Sequence, residues 1–456
     1  MNAKLILKAL FYATALFSVS VEGKAIRKCI PKGSKSAIGA QMIVQGYEWG
    51  PAVPKIIVEF QDKVSGFDID TFAVKTDHVE REIIDVYNTD ANGKKQKGAS
   101  KYVGLELTVN ASVIPFLGVS MGGEASPFTY DMDTGRNSWS TNYELNLDLN
   151  EGKTFKVGKS EYGSDKKVWK TFKYNLAENY VVPETKDWKK DSFTAHNITL
   201  QRASFIPKGV EKDGVTALAK EGIQKYFISD DLKGAYVLAV QTPTMWMDRG
   251  NSTYNNDIFG KRQTSIYDAV LFEAIKDYVA TNSDIDTDRI YVGGCSNGGY
   301  MTMNLMFEHG DFFTAFYPIC EAYMDRNISE DMIDDVKDYN IWFLHSEDDT
   351  TVDPLATSIS TYYRLMNAGA KNVHYTLTDH VIGTDDPEVQ YMGHYSWVYA
   401  FNDQVKNQFD NAKVVADFEN ITIKDGKVTT TDNYVTNANC NKDGNMWSWL
   451  ASQRKN

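Results

Sequence analysis

Short β-rich runs broken by turn residues fill the first third of the chain, whereas the later apolar runs are continuous and separated by stretches of helical period. The β-rich runs at 54–60, 72–75, 83–87, 102–109 and 142–149 predict strands. The segments Thr89-Asp90-Ala91-Asn92-Gly93 and Asp131-Met132-Asp133-Thr134-Gly135 supply turn residues between them, since Asn, Asp and Gly tolerate the backbone of tight turns. No long helical period intervenes, so 38–157 is expected to form an antiparallel β-sandwich. The lysine-rich stretch 158–190 is expected to be a linker running into the first strands of the next domain.

From 191 onward, through 456, strands alternate with helices, the pattern of an α/β domain with a mostly parallel sheet flanked by helices. Strands are predicted at 235–240, 289–292, 313–319, 341–345 and 373–377. Ile266, Ala269, Val270, Phe272, Ile275 and Val279 form one face of a helix over 265–280. Two further helices are predicted at 300–307, capped at Gly310, and at 357–366.

With 456 residues the chain is long enough for two or three domains, at roughly 100 to 200 residues each. Lys and Arg number 48 against 61 Asp and Glu, a formal charge of −13, which disfavours nucleic acid or an anionic membrane as partner. Lys4 and Lys8 precede an apolar run over 9–19, so residues 1–20 are expected to be a signal peptide and the mature protein to be secreted and extracellular. Five Asn-x-Ser/Thr sequons, at Asn110, Asn197, Asn251, Asn327 and Asn420, are potential glycan acceptors in a eukaryotic host. Of the four cysteines, Cys295 and Cys320 end two apolar runs that neighbouring strands would bring close, while Cys29 and Cys440 sit in polar flanks. Disulfides Cys295–Cys320 and Cys29–Cys440 are expected on that ground. Neither Cys-x-x-Cys nor His-Glu-x-x-His occurs, so no metal or cofactor is predicted.

Gly-x-Ser-x-Gly occurs twice, around Ser120 and as Gly294-Cys295-Ser296-Asn297-Gly298. In a nucleophile elbow a strand enters a strained turn and a helix leaves it. Pro127 and β-formers follow Ser120, in an all-β region, whereas Ser296 stands between a predicted strand and a predicted helix. Ser296 is therefore the expected nucleophile. A serine hydroxyl needs a base and an acid that orients the base. The acidic loop after 341–345 offers Asp348, Asp349 and Asp353, with spacing favouring Asp349; of the histidines beyond it, His374 lies within a strand, and His394, just before an apolar helix, is favoured over His380.

The segments Gly294-Cys295-Ser296-Asn297-Gly298-Gly299-Tyr300-Met301, Tyr317-Pro318-Ile319-Cys320-Glu321-Ala322-Tyr323, Gln241-Thr242-Pro243-Thr244-Met245-Trp246-Met247 and Gly393-His394-Tyr395-Ser396-Trp397 resemble secreted carboxylesterases of the α/β-hydrolase superfamily. Those enzymes are related to the prolyl oligopeptidase and polyhydroxybutyrate-depolymerase groups and carry an N-terminal immunoglobulin-like domain. Gly46-Tyr47-Glu48-Trp49-Gly50-Pro51 and Ser100-Lys101-Tyr102-Val103 resemble that domain. The resemblance implies an α/β hydrolase behind an immunoglobulin-like sandwich, with Ser296 as nucleophile, Asp349 as acid and His394 as base, and with the Asn297 amide as one oxyanion donor. The family's His-Gly oxyanion strand has no counterpart in 197–209. Losing one such donor costs about 2.7 to 4 kcal/mol of transition-state stabilisation. A substitute amide near Gly209 or Gln241, an impaired relative and a faulty gene model all fit that departure.

The leading reading is a secreted serine carboxylesterase acting on a small ester, of carbohydrate or phenolic type if Gln241, Trp246 and Trp397 line the substrate cleft. A serine peptidase of prolyl oligopeptidase type is the second reading, although no propeller repeat precedes the catalytic half. An extracellular binding protein that lost the oxyanion loop is the third.

Overall fold

The chain divides into two units at about residue 186. The computed structural model describes residues 37–114, 119–131, 136–163, 171–174, 176, 189–205, 226–227, 234–250, 265–416, 423–424, 427–428, 435–437 and 444–455. The expected signal peptide, Cys29, Cys440, Gly209 and the sequons at Asn251 and Asn420 lie outside these residues.

Strict alternation shapes the first unit. Its strands are β1 (Ala37–Tyr47), β2 (Gly50–Ser65), β3 (Phe72–Thr76), β4 (Val79–Arg81), β5 (Ile83–Thr89), β6 (Ser100–Leu107), β7 (Ala111–Ile114), β8 (Val119–Gly123), β9 (Phe128–Asp131), β10 (Arg136–Trp139), β11 (Tyr143–Leu149), β12 (Thr154–Val157), β13 (Ser160–Gly163) and β14 (Thr171–Tyr174). One sheet runs β13-β12-β2-β6-β5 with β1 on β2, and another runs β14-β11-β3-β4. The inward residues of both, among them Val58, Phe60, Leu105, Leu145, Leu147, Phe155 and Phe172, form one apolar core. Tyr174 of β14 ties the sheets together by donating to the Ala40 carbonyl of β1 at 2.9 Å. The stretch expected to be a linker, 158–190, thus carries two sandwich strands. Phe172 and Tyr174 are buried while Thr171 and Lys173 are exposed, so Lys173 marks the outer face of a half-buried strand rather than a polar connection.

The second unit opens with an antiparallel trio, β15 (Lys189–Ala195), β16 (Ile198–Phe205) and β17 (Val237–Gln241). Helix α1 (Asp268–Thr281) then leads to β18 (Tyr291–Cys295), α2 (Asn297–His309), β19 (Ala315–Ile319), α3 (Glu330–Val336), β20 (Ile341–Ser346), α4 (Ser358–Asn367) and β21 (Val373–Thr378). Strands β18 to β21 are parallel and lie in sequence order. Continuous burial of β20 on both faces explains its unbroken apolar run. Val270, Leu271 and Ala274 of α1 join Met301, Leu305 and Met306 of α2 and Ile341 and Phe343 of β20 in one core.

Among the described residues the mostly parallel sheet expected for this half falls into a parallel set, β18 to β21, and the antiparallel trio. Among the described residues β17 pairs only with β16 and β18 only with β19. Phe227 stacks on Tyr291 of β18, ring centroids 5.7 Å apart. Helix α2 runs to His309, and Gly310, expected as its left-handed cap, has φ −51°. Glycine stands there for space instead, because a Cβ would come within 2.2 Å of the Tyr339 ring.

His374 of β21 is buried, with Nδ1 2.6 Å from Gln408 Oε1. Burial lowers its pKa from 6.5 to about 4, against the raising influence of Gln408. A histidine that protonates less readily in the folded chain than in the unfolded one stabilises fully above pH 6.5 and loses that contribution as pH falls toward 4. A shift of this size corresponds to about 3 kcal/mol. His374→Gln is expected to flatten the decline of urea-unfolding free energy between pH 6.5 and 4, while a profile as steep as that of wild type would refute the assignment.

Candidate active site

At the end of β18 the backbone of Ser296 takes φ 56° and ψ −115°, and α2 starts at the next residue. A non-glycine residue with positive φ is strained and persists only where its surroundings hold it. The hold is visible on both sides: the Ser296 amide donates to the Ile319 carbonyl at 2.9 Å and the Ser296 carbonyl accepts from Tyr300 N at 2.8 Å. Gly294 allows the close approach, since a Cβ there would lie 2.7 Å from the Gly298 backbone. Ser120, by contrast, is in β8, opposite Val113 of β7 in an antiparallel pair, and a turn at 124–125 follows the strand where an elbow would have a helix.

Asp349 sits in the loop after β20 and His394 in a 3-10 turn over Gly393–Tyr395. The structure brings these two together. Nδ1 of His394 lies 2.7 Å from Oδ2 of Asp349, and both side chains are fully buried. The same Oδ2 is 3.0 Å from Nε2 of His345, while Oδ1 accepts the amides of Thr351 and Val352 at 2.8 and 2.9 Å. Burial, the largest influence on Asp349, works to raise its pKa, but the two imidazoles outweigh it and hold the carboxyl far below the usual range. A permanently ionised Asp349 fixes the His394 proton on Nδ1. Nε2 of His394 is buried and, among the described residues, has no hydrogen-bond partner, so its lone pair is available to accept a proton.

The competing residues are placed elsewhere. Asp348 accepts from Ser346 Oγ at 2.5 Å and from Gln390 Nε2 at 3.1 Å, and burial raises its pKa. Its role is to tie the two loops: Gly393 has no side chain because Asp348 Oδ1 would lie 2.1 Å from a Cβ. Asp353 is exposed and caps the Leu355 amide. His380 pairs with the exposed Asp379 at 2.8 Å.

For an oxyanion, Asn297 is the first residue of α2, and the first amides of a helix have no partner within it. Its side chain is turned back, Oδ1 accepting the Met247 amide at 3.3 Å, which fixes the loop after β17 against the elbow. Gln241 is half-buried at the end of β17, its backbone paired with Gln201. Trp246 is half-buried and packs edge-on to Tyr267. Trp397, expected to line the substrate cleft, packs beside the candidate base. It is 5% exposed, and its ring stands at 87° to the His394 imidazole with centroids 5.6 Å apart, because the helix Trp397–Phe401 turns that face inward.

The Cys295–Cys320 disulfide is also corrected, for both thiols are free. The register opposes Cys295 to Ile319, not Cys320, and successive side chains of a strand face opposite ways. Cys320 is turned instead toward the acid and base: its Sγ, an Asp349 oxygen and a His394 nitrogen all lie within 4.8 Å of one another. Among the described residues this is the one group with donors close enough for a metal, yet both Asp349 oxygens already take two N–H donors each. Burial pushes the Cys320 thiol well above its ordinary range, so it remains a neutral neighbour. Of the described sequons, Asn110 and Asn197 are exposed, whereas Asn327 is 2% exposed, which closes it to a glycan. The sequence reading gave no role to His345, which opens the His-x-x-x-Asp spacing that ends at Asp349.

This fold and site define an α/β hydrolase of the serine type. Residues 39–180 match the esterase Ig-like N-terminal domain, and residues 244–415 match the prolyl oligopeptidase family. The chain is a serine hydrolase, an Ig-like-domain esterase of the prolyl oligopeptidase family. The crystal structure of a thermostable esterase is similar to it, at 20% identity and a TM-score of 0.55, over 81% of this chain and 97% of that one. Est1E from Butyrivibrio proteoclasticus has 17% identity and a TM-score of 0.26 over 41% of this chain and 87% of its own. No curated protein matches the sequence.

Proposed function

We propose that the chain is a secreted carboxylesterase that cleaves small carboxylic esters through an acyl-enzyme on Ser296. The observation that carries this reading is the buried Asp349–His394 pair at 2.7 Å with Nε2 unpartnered, combined with a strained serine at a strand-to-helix elbow. In the first step His394 Nε2 takes the Ser296 proton as Oγ bonds to the ester carbonyl carbon. The tetrahedral oxyanion is met by the Asn297 amide at the positive end of α2. As the C–O bond breaks, His394 returns the proton to the leaving alcohol. Water, deprotonated by His394, then attacks the acyl carbon and releases the acid and the free serine.

A peptidase would use the same steps on an amide, and the prolyl oligopeptidase match to the catalytic half keeps that reading in view. The two separate by assay. Purified protein is expected to hydrolyse nitrophenyl acetate or butyrate and to leave aminoacyl and acyl-aminoacyl nitroanilides intact. Turnover of the anilides at a comparable kcat/KM would favour the peptidase, and inertness toward both would favour a binding protein. The leader expected over 1–20 makes this an extracellular enzyme. N-terminal sequencing of the protein recovered from culture medium is expected to start near residue 21. Among the described residues, no helix is long and apolar enough to cross a membrane.

A further inference from the structure

We infer that His345 is a positioning residue of the esterase, the inner member of a buried chain Tyr375–Ser358–His345 that holds Asp349 in place for His394. The inference rests on the proposed hydrolase reading and adds residues to it. His345 comes from β20, Ser358 is the first residue of α4, and Tyr375 lies in β21. All three are wholly or almost wholly buried. Nε2 of His345 stands 3.0 Å from Asp349 Oδ2 and 3.1 Å from the Val352 carbonyl. Nδ1 stands 2.7 Å from Ser358 Oγ, and that oxygen is 2.9 Å from the Tyr375 hydroxyl.

The direction of every bond follows from what each atom is able to do. An ionised carboxylate and a backbone carbonyl only accept, so Nε2 of His345 donates to both. In the neutral ring Nδ1 is then the acceptor, which obliges Ser358 to donate to it and Tyr375 to donate to Ser358. The Asp349 carboxylate and the Val352 carbonyl thereby select the His345 tautomer, Ser358 completes it by donating to Nδ1, and the tautomer delivers a fixed N–H to the same Asp349 oxygen that His394 uses. The Val352 residue closes a second tie, since its amide donates to Asp349 Oδ1 while its carbonyl accepts from His345. Without His345, Oδ2 would keep one donor, and the carboxylate would be free to swing about its backbone-held oxygen. The His394 Nδ1–H contact would then lose its fixed direction.

The test compares His345→Phe, which removes the donor, with His345→Gln, whose amide nitrogen takes the place of Nε2, in the full-length chain on nitrophenyl butyrate. For His345→Phe, kcat is expected to fall about 10- to 100-fold, the range for a lost hydrogen bond to a charged group, with KM within about twofold. His345→Gln should recover to within about tenfold of wild type, because its N–H still meets Asp349. A purely structural role predicts instead that both variants lose activity together or lose only folded protein, and either result would overturn the inference. So would wild-type kcat in folded His345→Phe. Should that variant not fold, Ser358→Ala carries the test: a drop of about 3- to 10-fold in kcat at constant KM supports the chain, and an unchanged kcat refutes it. Wild-type turnover that Ser296→Ala abolishes is measured alongside, so a failed hydrolase reading is told apart from a failed role for His345.

Discussion

Ser296→Ala is expected to lower kcat on nitrophenyl butyrate by about a millionfold, the scale on which removing the nucleophile of a serine triad acts, while Ser120→Ala leaves kcat and KM at wild-type values. The difference comes from backbone geometry, not from the shared Gly-x-Ser-x-Gly pattern. At Ser296 the chain passes from β18 into α2 through φ 56°, held by hydrogen bonds to Ile319 and from Tyr300. At Ser120 it is an extended strand paired with β7. The alanine variant of Ser296 should fold as wild type, because its backbone bonds are untouched. Equal loss in both variants, with both folded, would place the chemistry elsewhere.

Asp349→Asn has the second largest expected effect, about 10,000-fold in kcat, with a loss of stability beside it. In this site the substitution is harsher than a simple change of charge. Four N–H groups converge on the carboxylate, two backbone amides on Oδ1 and two imidazoles on Oδ2. An asparagine has one acceptor oxygen, so in either orientation its NH2 faces two donors. Turned one way it opposes the Thr351 and Val352 amides; turned the other way it drives His394 and His345 to the wrong tautomer. Unpaired buried donors cost about 1 to 3 kcal/mol each, so thermal unfolding should shift downward together with kcat. A variant with a normal melting temperature and more than a tenth of wild-type kcat would contradict the assignment of Asp349.

Much of the site was legible in the sequence because its chemistry depends on local context. A strand before Ser296 and a helix after it separate the elbow from its duplicate, and the candidate acid lies just beyond a fully buried strand that opens with four apolar residues. What escaped depended on side chains meeting across elements. Trp397 follows His394 by three residues, and only the helical turn decides that its ring packs against the imidazole. Cys295 and Cys320 end neighbouring strands, but a register offset by one residue parts them. His345 reads as one more residue of a buried strand until Ser358 and Tyr375 are seen to fix its ring. In the sandwich the longest alternating runs were readable. Strands β13 and β14 were not, because each is four residues long and sets charged residues beside aromatics, Glu161 beside Tyr162 and Lys173 between Phe172 and Tyr174, which averages to a polar composition.

The central claim is that Asp349 and His394 activate Ser296 and no other serine, and covalent labelling reads this directly. Purified protein is treated with a fluorophosphonate ester, its intact mass is measured, and the modified peptide is mapped. One adduct per chain on Ser296 is expected, formed quickly in wild type, slowly in Asp349→Asn and not at all in Ser296→Ala. A label on Ser120, or folded wild-type protein that takes up none, would contradict the account.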